Sequence, residues 1–503
     1  MKFYAGSSVQ KSESAMVESH CRKICLFRLT HADQVQLEKI IFKRYPNREW
    51  GTFVRFGYRI TSWGIHITLV DFIEPQPGDL DESSAIVEFR ACYILRAQLA
   101  LDETALGIGF IHSHPQNCGT FASSLDDDMD SYFAHELAMY GGGRPYVSLR
   151  MARNGNNRFA FSGECWLNRN PIPVTELLTV GSSLNRKIAE FIPTTAGKED
   201  ESDKIRARIS ALLGDENVLR FKRSSIGIVG CSGTGSPAAN VLSRAGIGRL
   251  VPVDPQDFEP SNHERFHAST WRDLETQQPK VDLIRRMILD INPCTEVTTI
   301  RGNVLDDAVL DELLRCDVVL GCTDTQHSRA ALSDYATHYL LPCIDSAVLM
   351  RAKHGKLTAQ VAELARYTAD EPCAWCLNRI NRKRLWYELM SEEERERRKH
   401  AAADAIQRGG DGEQYWGGEP PPELTVGYMT SVVGAMQAGY AENWITGAAQ
   451  MPHQRFQFDL GMPLLAVVPA ERARRPECSC NRTKGWSDQA RSDRSVTKPA
   501  HWK

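Results

Sequence analysis

Residues 226–254, IGIVGCSGTGSPAANVLSRAGIGRLVPVD, constrain the fold of this chain more than any other stretch. The first four residues are apolar, as a short parallel strand buried on both faces should be. The turn after this strand contains three glycines, which permit close approach to an anion: Gly230, Gly233 and Gly235. A helix follows, and a second strand ends at Asp254, where a carboxylate can hold a ribose hydroxyl. The stretch therefore predicts a nucleotide-binding βαβ unit.

The glycines alone do not identify the nucleotide, because they also fit the dinucleotide pattern G-x-G-x-x-A that binds NAD or FAD. The residues that follow are more specific. Residues 254–265, DPQDFEPSNHER, resemble the D-x-D-x-V-x-x-S-N-x-x-R pattern of the ThiF/MoeB/ubiquitin-activating family. Lys280 matches that family's lysine, and Cys322-Thr-Asp324 with Arg329 matches its C-T-D and arginine. These features stand in the family's order over about 100 residues.

This resemblance implies a Rossmann-like, doubly wound α/β domain that binds ATP. It also implies adenylation of the C-terminal glycine carboxylate of a ubiquitin-like or sulphur-carrier protein, with a homodimer formed through this domain and a conjugating enzyme as a further partner. Arg265 and Lys280 would be cationic clamps on the phosphates, and Asn262 would contact them too. Asp324 would hold Mg²⁺, which prefers carboxylate and phosphate oxygens.

A second set of residues indicates metal chemistry. His112 and His114 follow a predicted strand at i and i+2, so their side chains point the same way and can hold one ion. H-x-H-P followed by S-x-x-D, here Ser123 and Asp126, resembles the JAMM metalloprotease motif of deubiquitinating isopeptidases. The resemblance implies an N-terminal JAMM-like α/β metalloprotease domain, with Zn²⁺ on His112, His114 and Asp126 activating a water. Ser123 would donate to the developing oxyanion.

Two assignments within this motif have alternatives. Eight residues separate His114 from Ser123, one more than in the family pattern, so Ser124 and Asp127 form a second S-x-x-D register. The proton shuttle would be Glu49, which is followed two residues later by glycine as in the family, and its rival is Glu88.

Two close cysteine pairs, Cys373 with Cys376 and Cys478 with Cys480, predict a structural zinc site. The resembling family has C-x-x-C twice, whereas the second pair here is C-x-C. No cysteine lies between Cys376 and Cys478, where ubiquitin-activating enzymes carry a thioester cysteine. The chain therefore stops at the acyl-adenylate, uses Cys343 or another core thiol, or passes the acyl group to a partner's cysteine.

Composition limits the class of protein. The chain has 503 residues, 42% hydrophobic and 24% charged, which is typical of a soluble globular protein with two or three domains. A net charge of −3 gives no general attraction to nucleic acid or membranes, and no apolar run reaches the roughly 18 residues of a membrane span. Fourteen cysteines without a framework spacing predict reduced thiols and a cytoplasmic protein.

We predict five regions from these patterns. They are a flexible N-terminus at 1–20, the JAMM-like domain at 21–165, a linker at 166–200, the ThiF-like domain at 201–485 and a polar, disordered tail at 486–503. The predicted function is a bifunctional enzyme that both trims and adenylates a carrier protein's tail. The alternatives are a NAD- or FAD-dependent oxidoreductase fused to a metal-binding domain, and a non-catalytic assembly scaffold.

Overall fold

Two eight-stranded sheets organise the structure, a computed structural model. It describes residues 23–81, 86–102, 104–140, 142–153, 159–190, 205–412, 418–420, 424–461, 468–469 and 472–502. The sequence-predicted flexible N-terminus therefore lies outside the described residues. The first sheet comprises strands β1–β8 and the second strands β9–β16, with no strand shared between them.

The first sheet has the strand order β1-β3-β2-β4-β5-β6-β7-β8, and β7 also pairs with β1, so the sheet closes on itself. Parallel pairs (β1 with β3, β4 with β5) are mixed with antiparallel ones. Its strands, β1 to β8, are Ile24–Thr30, Gly51–Ile60, Gly64–Ile73, Gly107–Ser113, Tyr146–Arg153, Phe159–Leu167, Asn170–Val180 and Leu184–Ile188.

Three helices among the described residues cover this sheet: α1 (His31–Ile41), α2 (Ala91–Asp102) and α3 (Ser124–Tyr140). Helix α1 begins with a capping box in which Thr30 and Asp33 satisfy each other's backbone N–H groups. Helices α2 and α3 meet over Phe53, whose ring lies 4.9 Å from that of Tyr93 and 5.4 Å from that of Phe133. This aromatic cluster fixes α3 over strands β2 and β4.

The second sheet has the order β11-β10-β9-β12-β13-β14-β15-β16 and is parallel from β11 to β13. Strands β13 to β16 extend it in antiparallel pairs. The chain leaves β9 in one direction along the sheet for β10 and later in the other for β12, as in doubly wound folds. Its strands, β9 to β16, are Ser225–Val229, Arg249–Val253, Glu296–Val297, Val318–Gly321, Cys343–Lys353, Lys356–Tyr367, Arg455–Asp459 and Val468–Pro469.

Helices on both faces of the second sheet bury two separate apolar clusters. Among the described helices, none combines the length and apolar character that a membrane span requires. These helices, α4 to α12, are Ala207–Leu213, Asp215–Lys222, Gly235–Ala245, Lys280–Ile291, Asp307–Leu313, Gln326–His338, Arg382–Leu389, Glu392–Gln407 and Gly427–Thr446.

The predicted linker at 166–200 differs from the structure over its first part. Residues 170–180 form β7, which pairs with β1 and with β8, so this part of the chain belongs to the first sheet. The prolines and asparagines that suggested a linker lie where β7 pairs with the end of β6. Residues 191–200 lie outside the described part of the chain.

The prediction of a disordered tail at 486–503 is also wrong for the described residues 486–502. Asp488 pairs with Arg59 of the first sheet at 3.0 Å, and Ser495 donates its hydroxyl to Asp334 of α9 at 2.7 Å. The hydroxyl of Thr68 donates to the carbonyl of Gly485 at 2.6 Å, just before this segment. Although the segment is polar in composition, its polar side chains are paired with residues of both sheets and their helices.

Arg59 is the central residue of these contacts between the first sheet and the rest of the structure. Its side chain is 5% exposed and pairs with Asp311 at 2.7 Å, Asp488 at 3.0 Å and Asp307 at 3.2 Å. We predict that Arg59→Met lowers the free energy of unfolding by about 2–4 kcal/mol, because it leaves the carboxylates without their shared cation. Chemical denaturation followed by tryptophan fluorescence measures this change.

The control is Arg301→Met, which removes an exposed pair with Asp257 at 3.0 Å and should cost less than about 1 kcal/mol. Equal effects of the two substitutions would contradict a special role for Arg59.

Candidate functional sites

A cavity of about 530 Å³ lies at the carboxyl ends of β9 and β12, the place where doubly wound sheets bind ligands. Seven of the eight predicted nucleotide-binding residues line it: Gly230, Gly233, Asp254, Asn262, Arg265, Lys280 and Asp324. The eighth, Gly235, lies beneath the turn, where a Cβ atom would stand 2.0 Å from the Gly230 carbonyl oxygen. Gly235 therefore allows helix α6 to pack closely on β9.

Asp254 holds the glycine turn in place. Its side chain is 5% exposed and accepts hydrogen bonds from the N–H of Cys231 at 2.8 Å and of Gln256 at 2.9 Å. Gly230 has a positive φ of 94°, and a Cβ there would lie 2.7 Å from the Cys322 carbonyl oxygen. The contact of Asp254 with a ribose hydroxyl stays a prediction.

Lys280 supplies a buried positive charge to the cavity. It is 4% exposed, and its ammonium donates to the side-chain oxygen of Gln256 at 2.7 Å. Within the described part of the chain, no carboxylate forms an ion pair with it. Arg265 lies across the glycine turn, where a Cβ on Gly233 would be 3.3 Å from its Cδ. A buried, unpaired ammonium is costly, so the cavity is suited to an anionic ligand.

Helix α9 begins at the same cavity, but its N-terminus is already neutralised. The carboxylate of Glu388, on α10, accepts hydrogen bonds from the N–H groups of Gln326 at 2.9 Å and His327 at 3.0 Å. It also contacts Nδ1 of His327 at 2.9 Å. Glu388 is not predictable from the sequence, because no motif connects it with residues about 60 positions earlier. An anion in the cavity is therefore directed towards α6, Arg265 and Lys280.

Two other motif residues have contrasting surroundings. Asp324 is exposed at the rim of the cavity, where it can reach a ligand. Arg329 is 8% exposed and pairs with buried Asp345 at 2.7 Å, and Asp345 also pairs with Arg379 at 2.6 Å. Arg329 therefore orders the wall of the cavity through an internal ion pair.

The thiols close to this cavity are poor nucleophiles. Burial raises the pKa of Cys322 to about 12 and raises that of Cys343 well above its usual range. Cys322 donates to the side-chain oxygen of buried Gln437 at 3.2 Å. A protonated, buried thiol reacts slowly, which argues against Cys343 as a thioester residue.

The four predicted zinc-binding cysteines come together as expected from their pairing. The sulfurs lie 3.5 Å apart in Cys373 and Cys478, 3.7 Å in Cys373 and Cys376, and 3.9 Å in Cys376 and Cys480. These separations are far longer than a disulfide of about 2 Å. They match the roughly 3.8 Å between thiolates bound at about 2.3 Å to one tetrahedral Zn²⁺.

The predicted histidines and aspartate also converge. Nε2 of His112 lies 3.1 Å from one oxygen of Asp126, and Nε2 of His114 lies 3.8 Å from the other. Nδ1 of His114 lies 3.0 Å from the Gly119 carbonyl, a partner that leaves Nε2 with a lone pair. Burial lowers the pKa of His114 to about 4, so its imidazole is neutral at physiological pH. The chemistry of these three donors fits a zinc ion.

The structure distinguishes the two serine–aspartate registers. Asp126 is 7% exposed and faces the histidines, whereas Asp127 is exposed to solvent. Ser123 donates its hydroxyl to Asp126 at 2.7 Å and accepts from the Asp126 N–H at 3.2 Å, which caps α3. Ser124 is the first residue of that helix. The role of Ser123 as an oxyanion donor stays a prediction.

Glu49 lies beside this group of ligands, whereas its rival Glu88 is exposed. The Glu49 carboxylate accepts from the Val87 N–H at 3.3 Å. Burial raises its pKa, and the nearby His112 partly offsets that effect. A carboxylate with a raised pKa next to a metal site can take up a proton, so the surroundings favour Glu49 over Glu88.

We predict that Cys480→Ser removes one zinc ion per chain and lowers the thermal unfolding midpoint, because Zn²⁺ joins residues about 100 positions apart. Metal analysis of the purified protein measures the loss. Cys294→Ser, at an exposed cysteine, should leave the zinc content unchanged. An unchanged zinc content in Cys480→Ser would contradict the four-thiolate assignment.

Comparisons with known proteins match the part of the chain that forms the second sheet. A model of the ThiF family matches residues 205–480, more than half of the chain. The sulfur carrier protein ThiS adenylyltransferase of Escherichia coli (strain K12) is 31% identical over 139 residues, covering 28% of this chain and 53% of that protein. The molybdopterin-synthase adenylyltransferase of Escherichia coli (strain K12) is 30% identical over 188 residues, covering 34% of this chain and 72% of that protein.

A solved structure of E. coli MccB has a TM-score of 0.42 and 17% identity, covering 57% of this chain and 75% of that one. This chain spans about half the length of the ThiS adenylyltransferase it matches. The family match begins at residue 205, so the site around His112 rests on its own geometry.

Proposed function

Because the chain belongs to the ThiF family, we propose that it uses ATP to adenylate the C-terminal glycine carboxylate of a ubiquitin-like or sulphur-carrier protein. The observation that supports this proposal most is the buried ammonium of Lys280, which lies in the cavity at the ends of β9 and β12 and forms no ion pair with a carboxylate of the described residues. The E. coli relatives that adenylate ThiS and molybdopterin synthase support the same class of substrate.

In this reaction the carrier's carboxylate attacks the α-phosphorus of ATP, and pyrophosphate leaves. Lys280 and Arg265 would stabilise the negative charge that develops on the phosphate oxygens. Asn262, held at the cavity wall by its contact with the Glu259 N–H at 3.3 Å, would donate to a phosphate. Asp324 would bind Mg²⁺, which neutralises the charge of the leaving pyrophosphate.

The acyl-adenylate would react with a nucleophile supplied by a partner. Cys322, directly after β12, and buried Cys343, the first residue of β13, both have raised pKa values that keep the thiols protonated. A conjugating enzyme with its own thiolate, or a sulphur donor, would meet this requirement. Transfer to a partner is therefore favoured over an internal thioester.

ATP–pyrophosphate exchange that depends on a carrier protein ending in glycine tests the adenylation. We predict that Asp324→Ala and Lys280→Met each slow exchange by at least about 100-fold, because both remove electrostatic stabilisation. Asp404→Ala, at an exposed position on α11, is the matched control and should retain full exchange. Exchange that persists in both site variants would contradict the assigned site.

ATP also has to be separated from the alternative ligands. Calorimetric titration of the wild-type protein with ATP, NAD and FAD does this directly. We expect binding of ATP alone, lost in Lys280→Met. Binding of NAD or FAD would support the oxidoreductase alternative, and binding of no nucleotide would support the scaffold alternative.

We propose a second activity at the other site, where His112, His114 and Asp126 would hold Zn²⁺ for hydrolysis of peptide or isopeptide bonds at the carrier's tail. The specific support is the convergence of these three donors beside Glu49. Bound zinc would supply an activated water, and Glu49 would take its proton and pass it to the leaving amine. The JAMM-like identity of residues 21–165 belongs to this proposal.

We predict that Glu49→Gln lowers hydrolysis of a carrier–peptide fusion by about 100-fold or more while zinc stays bound, because only the proton acceptor is removed. Mass spectrometry of the fusion detects cleavage, and metal analysis reports the zinc. The rival residue provides the control, since Glu88→Gln should cleave at the wild-type rate. The reverse outcome would assign the shuttle to Glu88.

A further inference from the structure

We propose that Arg150 is the positioning residue of the three-ligand metal site, an inference that rests on the proposed zinc binding there. Arg150 lies on β5 directly opposite His112 of β4 in the strand register. Its side chain is only 2% exposed. Arg150 is not a ligand, so its influence on a metal must pass through the groups it holds.

Arg150 contacts two elements, β6 and α3, with its three nitrogens. Nη2 pairs with Glu164 of β6 at 2.6 Å, and Nη1 pairs with Asp130 of α3 at 3.4 Å. Nε donates to the hydroxyl of Ser162 at 3.3 Å. A planar guanidinium can make these three contacts at once, whereas an ammonium is a single point of charge.

The contact with Asp130 sets the position of the helix that delivers one ligand. Asp130 follows Asp126 by four residues on α3, so both carboxylates lie on the same face of the helix. Asp126 contacts His112 of β4 and His114 just after it, while Asp130 contacts Arg150 of the neighbouring strand. The buried ion pair therefore holds α3 at the distance from β4 at which Asp126 reaches both imidazoles.

The contact with Ser162 extends to the loop that orients His114. The Ser162 hydroxyl donates to the carbonyl of Thr120, and the adjacent carbonyl of Gly119 lies 3.0 Å from Nδ1 of His114. Thr120 is also tied by its hydroxyl to Glu190 at 2.6 Å. This chain of contacts fixes the ring of His114 with Nε2 towards Asp126, and such supporting contacts commonly set metal affinity.

Charge and position predict opposite effects for removal of this arginine. If only its charge mattered, replacement by a neutral residue would remove repulsion and strengthen binding of a cation. If Arg150 positions the ligands, the same replacement weakens binding, because α3 and the loop at 119–120 lose their common anchor. The direction of the change therefore identifies the role.

Zinc affinity, measured by competition with a chromogenic chelator on the full chain, tests the inference. The Cys480→Ser background removes the other zinc, so the signal comes from the three-ligand site. In that background we expect Arg150→Met and Arg150→Lys to weaken zinc binding by about 10- to 100-fold. Thermal unfolding of each variant shows whether it is folded.

Arg55→Met is the matched control. Arg55 lies on β2 of the same sheet, pairs with Asp71 at 2.6 Å and donates to the carbonyl of Ala100 on α2 at 3.3 Å. Its zinc affinity should equal that of the background protein. If Arg150→Met does not fold, Ser162→Ala keeps both ion pairs of Arg150, removes the hydroxyl that links Arg150 to Thr120, and should itself weaken zinc binding.

Unchanged or tighter zinc binding in folded Arg150→Met, or unchanged binding in Ser162→Ala, overturns the inference and leaves the proposed hydrolase intact. Absence of zinc from the three-ligand site of the background protein overturns the proposed metal function as well. The two failures are therefore distinguishable in one titration series.

Discussion

The contact between the ends of β9 and β12 is the constraint on which the nucleotide cavity depends. Gly230 approaches the Cys322 carbonyl so closely that a Cβ atom would be 2.7 Å from it. This contact brings the glycine turn beside the segment that carries Asp324, at the point where the chain crosses from one half of the sheet to the other. Gln437 reinforces it, since its amide donates to the Gly321 carbonyl at 3.1 Å and the Ile344 carbonyl at 2.6 Å.

Local patterns predicted the parts of the fold that are specified by nearby residues. The strand, turn and helix at 226–245 could be predicted because glycine spacing and apolar periodicity are set within a few residues. The pairing of His112 and His114 could be predicted for the same reason, and the two cysteine pairs were identified by their short spacing. The grouping of these residues follows once the strands and helices pack.

Pairing over long distances was not predictable in the same way. Strand β7 pairs with β1, about 150 residues earlier, and its own sequence contains the asparagine, prolines and threonines that suggest a linker. The sequence of residues 486–502 resembles a solvated tail, because the partners of its charged residues lie far away in the chain. Asp488, for example, pairs with Arg59. Glu388 and Arg150 were missed because a carboxylate or arginine in a helix or strand usually lies at the surface. In the packed structure Arg150 is buried and Glu388 is partly buried.

The two sheets are connected by arginine side chains of the first sheet that contact residues directly before β12. Arg28 of β1 donates to the carbonyls of Leu314 at 2.9 Å and Cys316 at 2.5 Å, directly before β12 begins. Arg186 of β8 pairs with Asp317 at 2.9 Å. Separating buried polar partners costs free energy, so these contacts favour one relative orientation of the two sheets. The strand that precedes Asp324 is therefore anchored to the sheet that carries His112, so the position of each candidate site depends on contacts made by the other sheet.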